Sequence, residues 1–467
     1  MQTGIADFLL AFSNVIEKLE GSWAIAAIIT GLEGILVSRS GTPLLIGKGK
    51  ENVYISSDIQ AFYGTCSEVA FLDDNSSFLL NNSLINEDVD NLRLQFNIIE
   101  GEYDEQNSGI YGHMMLKEIH DQPHSLSNAL GGRISSDGLN AMLSGFSLSA
   151  QEMKNLDRIN LVACGTAYYA SEIISSYIRK YTKVRCEAFL ASEFPSNSVC
   201  SPNTLTVGIS QSGETKDTLD ALMDAKSKGS HVAALCNVIG STISRYVGNG
   251  AYLYAGPEYA VASTKVFTNM LGVGLLLALT ISDIIPEKRI KIVNELRRLP
   301  NSLTKQLSTL DSSFYSAVEM IQNSSFPIYI GRGPSSYLAK EGALKMMEVT
   351  YIPCLAVPAG ELKHGTIALI EEGTPIIAIA PNDSTLTLME ASVRQCKSRG
   401  AKIILITDSD GPITKYADVL INTTSTHEDL YHFVNIIPLQ LLSYYVGIAK
   451  EVNVDRPRNL AKSVTVI

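Results

Sequence analysis

The sequence is short of positive charge, paired cysteines and long apolar runs, and each shortage excludes something. Lysine and arginine number 37 against 48 aspartates and glutamates, a formal net charge of −11. Without a basic stripe, the counterion release that drives nucleic-acid binding has no source, so no nucleic-acid partner is expected. Any anionic ligand must be held locally, by backbone N–H groups, hydroxyls and individual lysines. The seven cysteines (Cys66, Cys164, Cys186, Cys200, Cys236, Cys354 and Cys396) stand singly, with no CxxC pair and no metal spacing. That is the usage of reduced thiols in a cytoplasmic protein, and no metal is expected. The opening Met-Gln-Thr-Gly-Ile-Ala-Asp lacks the basic start of a signal peptide. The apolar run Met270–Ile281 falls well short of the ~20 residues that cross a bilayer and reads as a buried helix, so no membrane partner is expected. GxGxxG and Walker patterns are also missing, so neither a dinucleotide nor a nucleoside triphosphate is implied.

What is present describes an ordinary globular chain, 45% hydrophobic and 18% charged over 467 residues, with room for about three domains. Residues 1–104 read as a small α+β region. A helix from Phe8 to Leu19 precedes short strands at Trp23–Ile29, Gly34–Val37, Pro43–Ile46 and Val53–Ser56, separated by Gly, Ser and Asn turns. No nucleophile there has a base beside it. Residues 105–154 read as a polar, irregular linker carrying His113, His120 and His124. Their spacing could suggest a metal, but no second ligand pattern accompanies it, and the linker reading is preferred.

From residue 155 the pattern becomes strand–turn–helix. Ile159–Cys164, Leu205–Ile209 and Val232–Cys236 are buried strands, and helices follow Gly165-Thr166 and Ser210–Thr215. Such βαβ alternation predicts a parallel sheet with helices on both faces. The pattern then repeats. Phe326–Gly333 echoes Ile159–Thr166, Ala359-Gly-Glu-Leu362 echoes Ala191-Ser-Glu-Phe194, and Thr374–Ala380 echoes Thr204–Ser210. Lys397-Ser-Arg-Gly400 likewise echoes Lys226-Ser-Lys-Gly229. The expected fold class is α/β, with two tandem doubly wound parallel-sheet domains at 155–285 and 323–454. A helical connector at 286–322 joins them, and a short polar tail at 455–467 follows.

Three stretches carry candidate chemistry. Read as a helix, Glu341–Glu348 places Glu341, Lys345 and Glu348 at i, i+4 and i+7 on one face, with His364 following on a Gly-flanked turn. Acid, base and a proton carrier active near neutral pH suit proton movement on a sugar, while a solvated face with i,i+4 pairs is the alternative. Ser210-Gln211-Ser212-Gly213-Glu214-Thr215 lies where a parallel strand ends and a helix begins, which is where open α/β sheets bind ligands. Its hydroxyls and free N–H groups make a phosphate cradle, although Ser and Thr are also ordinary N-caps. The second copy has Ala380-Pro-Asn-Asp-Ser-Thr385 at that place, with an acidic residue where phosphate would lie. Lys462 could form a Schiff base with a sugar ketone once desolvated, or could simply be solvated.

The two copies look like sugar isomerase domains. With the tail, the chain closely resembles the isomerase half of the glutamine–fructose-6-phosphate aminotransferase (isomerising) family. The resemblance rests on Ala163-Cys-Gly-Thr166, Ala191-Ser-Glu-Phe194, Ser210–Thr215, Val261-Ala-Ser-Thr-Lys-Val-Phe267, Leu344-Lys345 with Glu348, Gly360–Gly365 and Arg458–Val466. Leu19–Ile25, Ser38–Gly47 and Ser56-Ser-Asp58 are similar to the later part of that family's glutaminase domain. The resemblance implies that Ser210, Gln211, Ser212 and Thr215, with Thr166, bind the phosphate of fructose 6-phosphate, and that Val261 and Ser263 line the sugar. Cys164, Gly165, Glu341, Arg458 and Ala461 fall among the substrate-binding positions it implies. His364, donated by the neighbouring subunit of a homodimer, would open the ring. Lys462 would form the imine at C2, Glu348 would move the proton between C1 and C2, and Lys345 would assist at the hydroxyls. No cofactor is implied.

Two departures from the family pattern follow. The usual Cys-Gly-Thr-Ser is Cys-Gly-Thr-Ala167 here, one hydroxyl fewer near the phosphate. The family's mature chain opens on a cysteine that serves as glutaminase nucleophile, whereas this one reads Met1-Gln2-Thr3. The expectation is therefore conversion of fructose 6-phosphate to glucosamine 6-phosphate without glutamine hydrolysis, with nitrogen from free ammonia or from a separate glutaminase subunit. Isomerisation to glucose 6-phosphate without amination, and a non-catalytic sugar-phosphate sensor, are the alternatives.

Overall fold

The computed structural model describes residues 5–20, 23–40, 44–57, 59–62, 64–72, 76–80, 94, 96–98, 108–135, 137, 139–309 and 312–462. Of the sequence-based expectations, Gly41–Pro43, Asp58 and residues 463–467 of the tail lie outside these. The chain divides into two compact units, the first mainly residues 1–107 and the second mainly 108–462.

Among the described residues of the first unit a helix, α1 (Ile5–Ile16), precedes seven strands: β1 (Trp23–Ala27), β2 (Ile35–Ser40), β3 (Leu45–Gly49), β4 (Val53–Ser56), β5 (Cys66–Phe71), β6 (Ser76–Leu80) and β7 (Phe96–Ile98). The helix sits a turn earlier, and the second and third strands run further, than their apolar residues alone suggested. Two antiparallel sheets result, ordered β1-β2-β6 and β4-β3-β5-β7. Leu36, Val37, Leu45, Ile46, Val69 and Ala70 supply its buried apolar face.

The second unit opens differently from the expected irregular linker. Two helices, α2 (Met114–His120) and α3 (Gln122–Leu130), occupy it, followed by the short α4 (Ala150–Lys154). Met115, Leu116, Ile119, Leu126, Ala129 and Leu130 recur at helical spacing and pack into the main core, and the polar residues between them had hidden that period. The three histidines are engaged separately. His113 Nδ1 lies 3.0 Å from the Tyr444 hydroxyl, His120 stacks on Tyr111, and His124 Nε2 lies 3.3 Å from Asn128 Nδ2.

Two five-stranded parallel sheets follow. The first copy holds β8 (Arg158–Ala163), α5 (Gly165–Tyr181), β9 (Arg185–Leu190), α6 (Phe194–Asn197), β10 (Thr204–Ser210), α7 (Lys216–Ser227), β11 (His231–Cys236), α8 (Thr242–Val247), β12 (Gly250–Tyr252) and α9 (Lys265–Thr280). Between the copies run α10 (Pro286–Leu307) and α11 (Ser312–Gln322). The second copy holds β13 (Ile328–Gly331), α12 (Ser335–Thr350), β14 (Leu355–Pro358), β15 (Pro375–Ile379), α13 (Leu386–Lys397), β16 (Lys402–Thr407), β17 (Val419–Asn422) and α14 (Tyr431–Ala449). Spatial orders are β12-β11-β10-β8-β9 and β14-β13-β15-β16-β17. Numbered by appearance within each copy, both read 2-1-3-4-5, so the echo seen in sequence is an echo of topology. The order reverses between the first and third strands of each copy, which opens a crevice at their C-terminal ends.

One continuous core joins the two copies, because α5, which packs on α9 of the first copy, also packs on α12 of the second, which in turn packs on α14. Helix α14 is long and apolar enough to span a membrane by composition, yet 83% of it is buried inside the fold. Its Gln440 is hydrogen-bonded through both side-chain amide atoms. Gln440 Nε2 donates to the Thr264 carbonyl at 3.2 Å, and Gln440 Oε1 accepts from Gln122 Nε2 at 2.9 Å. At Gly331 the first turn of α12 approaches β13 so closely that a Cβ would lie 2.3 Å from the Ser335 carbonyl. That contact fixes where α12 leaves the sheet.

Candidate active site

Helix α12 carries its charged residues inward. Glu341 and Lys345 have side chains 0% and 1% exposed, and that of Glu348 is 22% exposed, so the solvated-face alternative does not hold. Lys345 Nζ donates to Glu348 Oε2 at 2.5 Å and stands 3.6 Å from Glu341 Oε1. Burial pushes the Glu341 carboxyl up to about 8 against the pull of Lys345, and Glu348 adds to the rise. The Lys345 amine has burial against it, but Glu341 and Glu348 outweigh that and hold it above its ordinary value. Two carboxyls around one amine in a dry site cannot both be charged cheaply, so the proton retained by Glu341 leaves a Lys345–Glu348 ion pair.

The first copy's crevice lies between β8 and β10. Cys164, Gly165 and Thr166 follow β8 at the start of α5, whose free N–H groups point toward the crevice. Thr166 Oγ1 donates to Glu341 Oε1 at 3.1 Å, tying this turn to the charged face of α12. Burial raises the Cys164 thiol above its ordinary value. Ser210 ends β10 with its Oγ accepting from the Gly213 N–H at 2.9 Å, and Gln211 and Ser212 are half-buried between them. Gly213 has φ +68°, and a Cβ there would meet Ser241 Oγ at 2.0 Å. Thr215 directly precedes α7. Ala167 packs into the core. In the second copy the Asp383 carboxylate itself accepts from the Thr385 N–H and hydroxyl, both at 2.7 Å. The chain's own carboxylate thus holds the place at the head of α13.

The tail brings Lys462 back to the first copy. Its Nζ donates to Glu258 Oε2 at 2.5 Å and to the Ala260 carbonyl at 2.7 Å. Glu258 is fully buried and also accepts from Ser263 Oγ at 3.0 Å and from the Thr264 N–H at 2.8 Å. Against its burial, Lys462 and the Thr264 and Val266 N–H groups hold its carboxyl below the ordinary value. Half-buried Val261 donates its N–H to the Asp455 carbonyl at 3.0 Å, which seats the tail. Glu258 also acts electrostatically on Lys345, so the two lysines belong to one charged neighbourhood. Sequence reasoning missed Glu258, a lone carboxylate in a loop, and its only available signal was the adjoining Val261–Phe267 stretch.

Three expected site residues stand apart from this group. The Arg458 guanidinium lies 4.2 Å from the centre of the Tyr351 ring, and the Arg458 backbone N–H donates to the Tyr351 hydroxyl. Ala461 is exposed. His364 is exposed on a short 3₁₀ turn, Leu362–His364, and among the described residues it makes no hydrogen bond to the α12 group.

A doubled α/β unit with a buried acid–lysine–acid helix face and a hydroxyl-lined turn at the strand switch defines a tandem SIS protein. The SIS domain family matches residues 152–280 and 320–450. The glutamine–fructose-6-phosphate aminotransferase (isomerizing) of Caldanaerobacter subterraneus is 37% identical over 98% of this chain and 77% of its own length. That of Methanosarcina acetivorans is 34% identical over 98% and 76%. The C-terminal domain of glucosamine-fructose-6-phosphate aminotransferase from Francisella tularensis superposes with a TM-score of 0.70 at 33% identity, covering 75% of this chain and 100% of that one. The chain belongs to the glutamine–fructose-6-phosphate aminotransferase (isomerizing) family.

Proposed function

We propose that this enzyme converts fructose 6-phosphate to glucosamine 6-phosphate by amination coupled to ketose–aldose isomerisation. The observation that carries the reading is the inward-facing Glu341–Lys345–Glu348 group, with Glu348 alone reaching solvent, beside the Glu258–Lys462 pair. A sugar phosphate would dock its anion at the head of α5 and on the Ser210–Thr215 hydroxyls, with Val261 and Ser263 along the sugar. Lys462 condenses with the C2 ketone and releases water, and ammonia then displaces the lysine from C2. Glu348 takes the proton from C1 and returns it at C2, while Lys345 serves the hydroxyl oxygens. Ammonia and fructose 6-phosphate thereby give glucosamine 6-phosphate and water. The exposed position of His364 suits a ring-opening role across a homodimer interface, where it would be supplied to the neighbouring subunit's site.

The test is incubation of the 467-residue chain with fructose 6-phosphate and ammonium, glutamine or neither, with both glucosamine 6-phosphate and glucose 6-phosphate assayed. Glucosamine 6-phosphate formed with a nitrogen donor, and lost in Glu348→Gln, supports the reading. Glucose 6-phosphate alone, or binding without product, overturns it.

A further inference from the structure

A second buried carboxyl lies behind the lysine clamp, on an element outside the α/β repeats. Glu118, on α2, is 1% exposed. Its Oε1 accepts from the Tyr259 N–H at 2.5 Å and from the Ala260 N–H at 3.3 Å, the two peptide groups that follow Glu258. The carbonyl of the same Ala260 accepts from Lys462 Nζ at 2.7 Å. One short turn therefore has a carboxyl on its N–H side and the lysine amine on its C=O side. Oε2 of Glu118 is buried and has no hydrogen-bond partner among the described residues. The charged groups that face Glu118 are Glu258, Lys462 and Lys265, the last standing 3.4 Å from Asp121.

We propose that Glu118 is a positioning residue for the Lys462 amine, acting through the Tyr259–Ala260 peptides and through the charge it adds to or withholds from the Glu258–Lys462 pair. Burial and then Glu258 push its carboxyl up to about 8, while Lys462 and Lys265 pull the other way. Below that pH the lysine faces one buried anion, Glu258. Above it the lysine faces two, and the electrostatic hold on its side chain is stronger. Glu118 thus sets how firmly the turn and its carboxyls hold the Lys462 amine, and that hold tightens as Glu118 ionises. The use of that amine as a nucleophile rests on the proposed function, but its placement does not.

Acetic anhydride acylates accessible, unpaired amines, so the rate at which Lys462 is acetylated, read by peptide mass spectrometry, reports how firmly the turn and its carboxyls hold the amine, without any sugar. The full-length protein would be compared with Glu118→Gln and Glu118→Asp between about pH 6 and about pH 10. Glu118→Gln keeps an oxygen for both N–H groups but cannot ionise. The expected result is Lys462 acetylation ~10-fold faster than in the parent protein near pH 9, with exposed Lys402 unchanged as internal reference. Glu118→Asp, one methylene short, releases the turn, and Lys462 should then react faster at every pH. The same Lys462 profile in all three proteins would overturn the proposal. A failure of the proposed function would instead appear as no product from fructose 6-phosphate in the parent protein, with the Lys462 profiles unaffected.

Discussion

Lys462 Nζ stands 2.5 Å from Glu258 Oε2 across 204 residues of sequence, and the carboxylate it meets is fully buried. The pair is where the polar tail joins the first α/β copy. Removing Glu258 strips the amine of its charge partner, but the lysine can swing to solvent and escape the ~3–5 kcal/mol that an unpaired buried charge costs. Glu258→Ala should therefore act locally. Turnover of fructose 6-phosphate should fall ~100-fold, the scale expected of an amine misplaced by about 1 Å. Limited proteolysis should cut the tail more readily, and the melting temperature should fall as well, because the Ser263 hydroxyl and the Thr264 N–H lose their buried acceptor. A variant that keeps full turnover would show that the pair does not place the lysine.

Glu348 is the one carboxylate on α12 with access to solvent, and Lys345 holds it at 2.5 Å. Glu348→Gln keeps the shape and an acceptor but removes the base. The expected outcome is a ~10²–10⁴-fold loss in kcat with affinity for fructose 6-phosphate little changed. Isothermal titration of the variant checks the second half, and a parallel loss of affinity would assign Glu348 to binding instead.

Gly213 closes the turn after β10 with φ +68° and no room for a Cβ beside Ser241. Gly213→Ala would strain the backbone and displace Ser241, at a cost of about 1–3 kcal/mol. The damage should fall on the phosphate end of the substrate. KM for fructose 6-phosphate is expected to rise about tenfold or more, and inorganic phosphate should lose its competitive inhibition. Unchanged KM would move the phosphate site away from this turn.

Much of this was legible in the sequence because periodicity records which face is buried. The strand runs and their echoes foretold two parallel sheets, and a shared strand order is what such echoes imply, although the order itself, 2-1-3-4-5, came only from the structure. The i, i+4, i+7 spacing placed Glu341, Lys345 and Glu348 on one face, but spacing alone could not tell an inward face from a solvated one. That difference came from α12 packing between α5 and α14. Glu258 and Glu118 were not legible. Each is a single carboxyl whose meaning comes from a partner over a hundred residues away, and α2 itself was masked by the polar residues among Met115, Leu116 and Ile119.

The buried carboxyls also fix how stability depends on pH. Burial pushes the Glu341 carboxyl up to about 8 in the fold from its ordinary value of 4.5, and Glu118 shifts the same way. Between those values the native chain holds protons that the unfolded chain has released, so unfolding loses protons and stability falls as pH rises. The contribution is fully present below about 4.5 and is lost as pH climbs through about 8. Asp429 has the opposite sign. Against its burial, hydrogen bonds from His427, Lys180 and Tyr181 hold its carboxyl well below the usual range, so its contribution is present above the ordinary value of 3.8 and lost in acid. Melting temperature should therefore peak near about pH 5 and decline toward about pH 8.5. In Glu341→Gln, which cannot ionise, that decline should be shallower, leaving the part due to Glu118. Calorimetric melts across this range test both statements, and equal slopes in the two proteins would mean that Glu341 is ionised in the fold throughout.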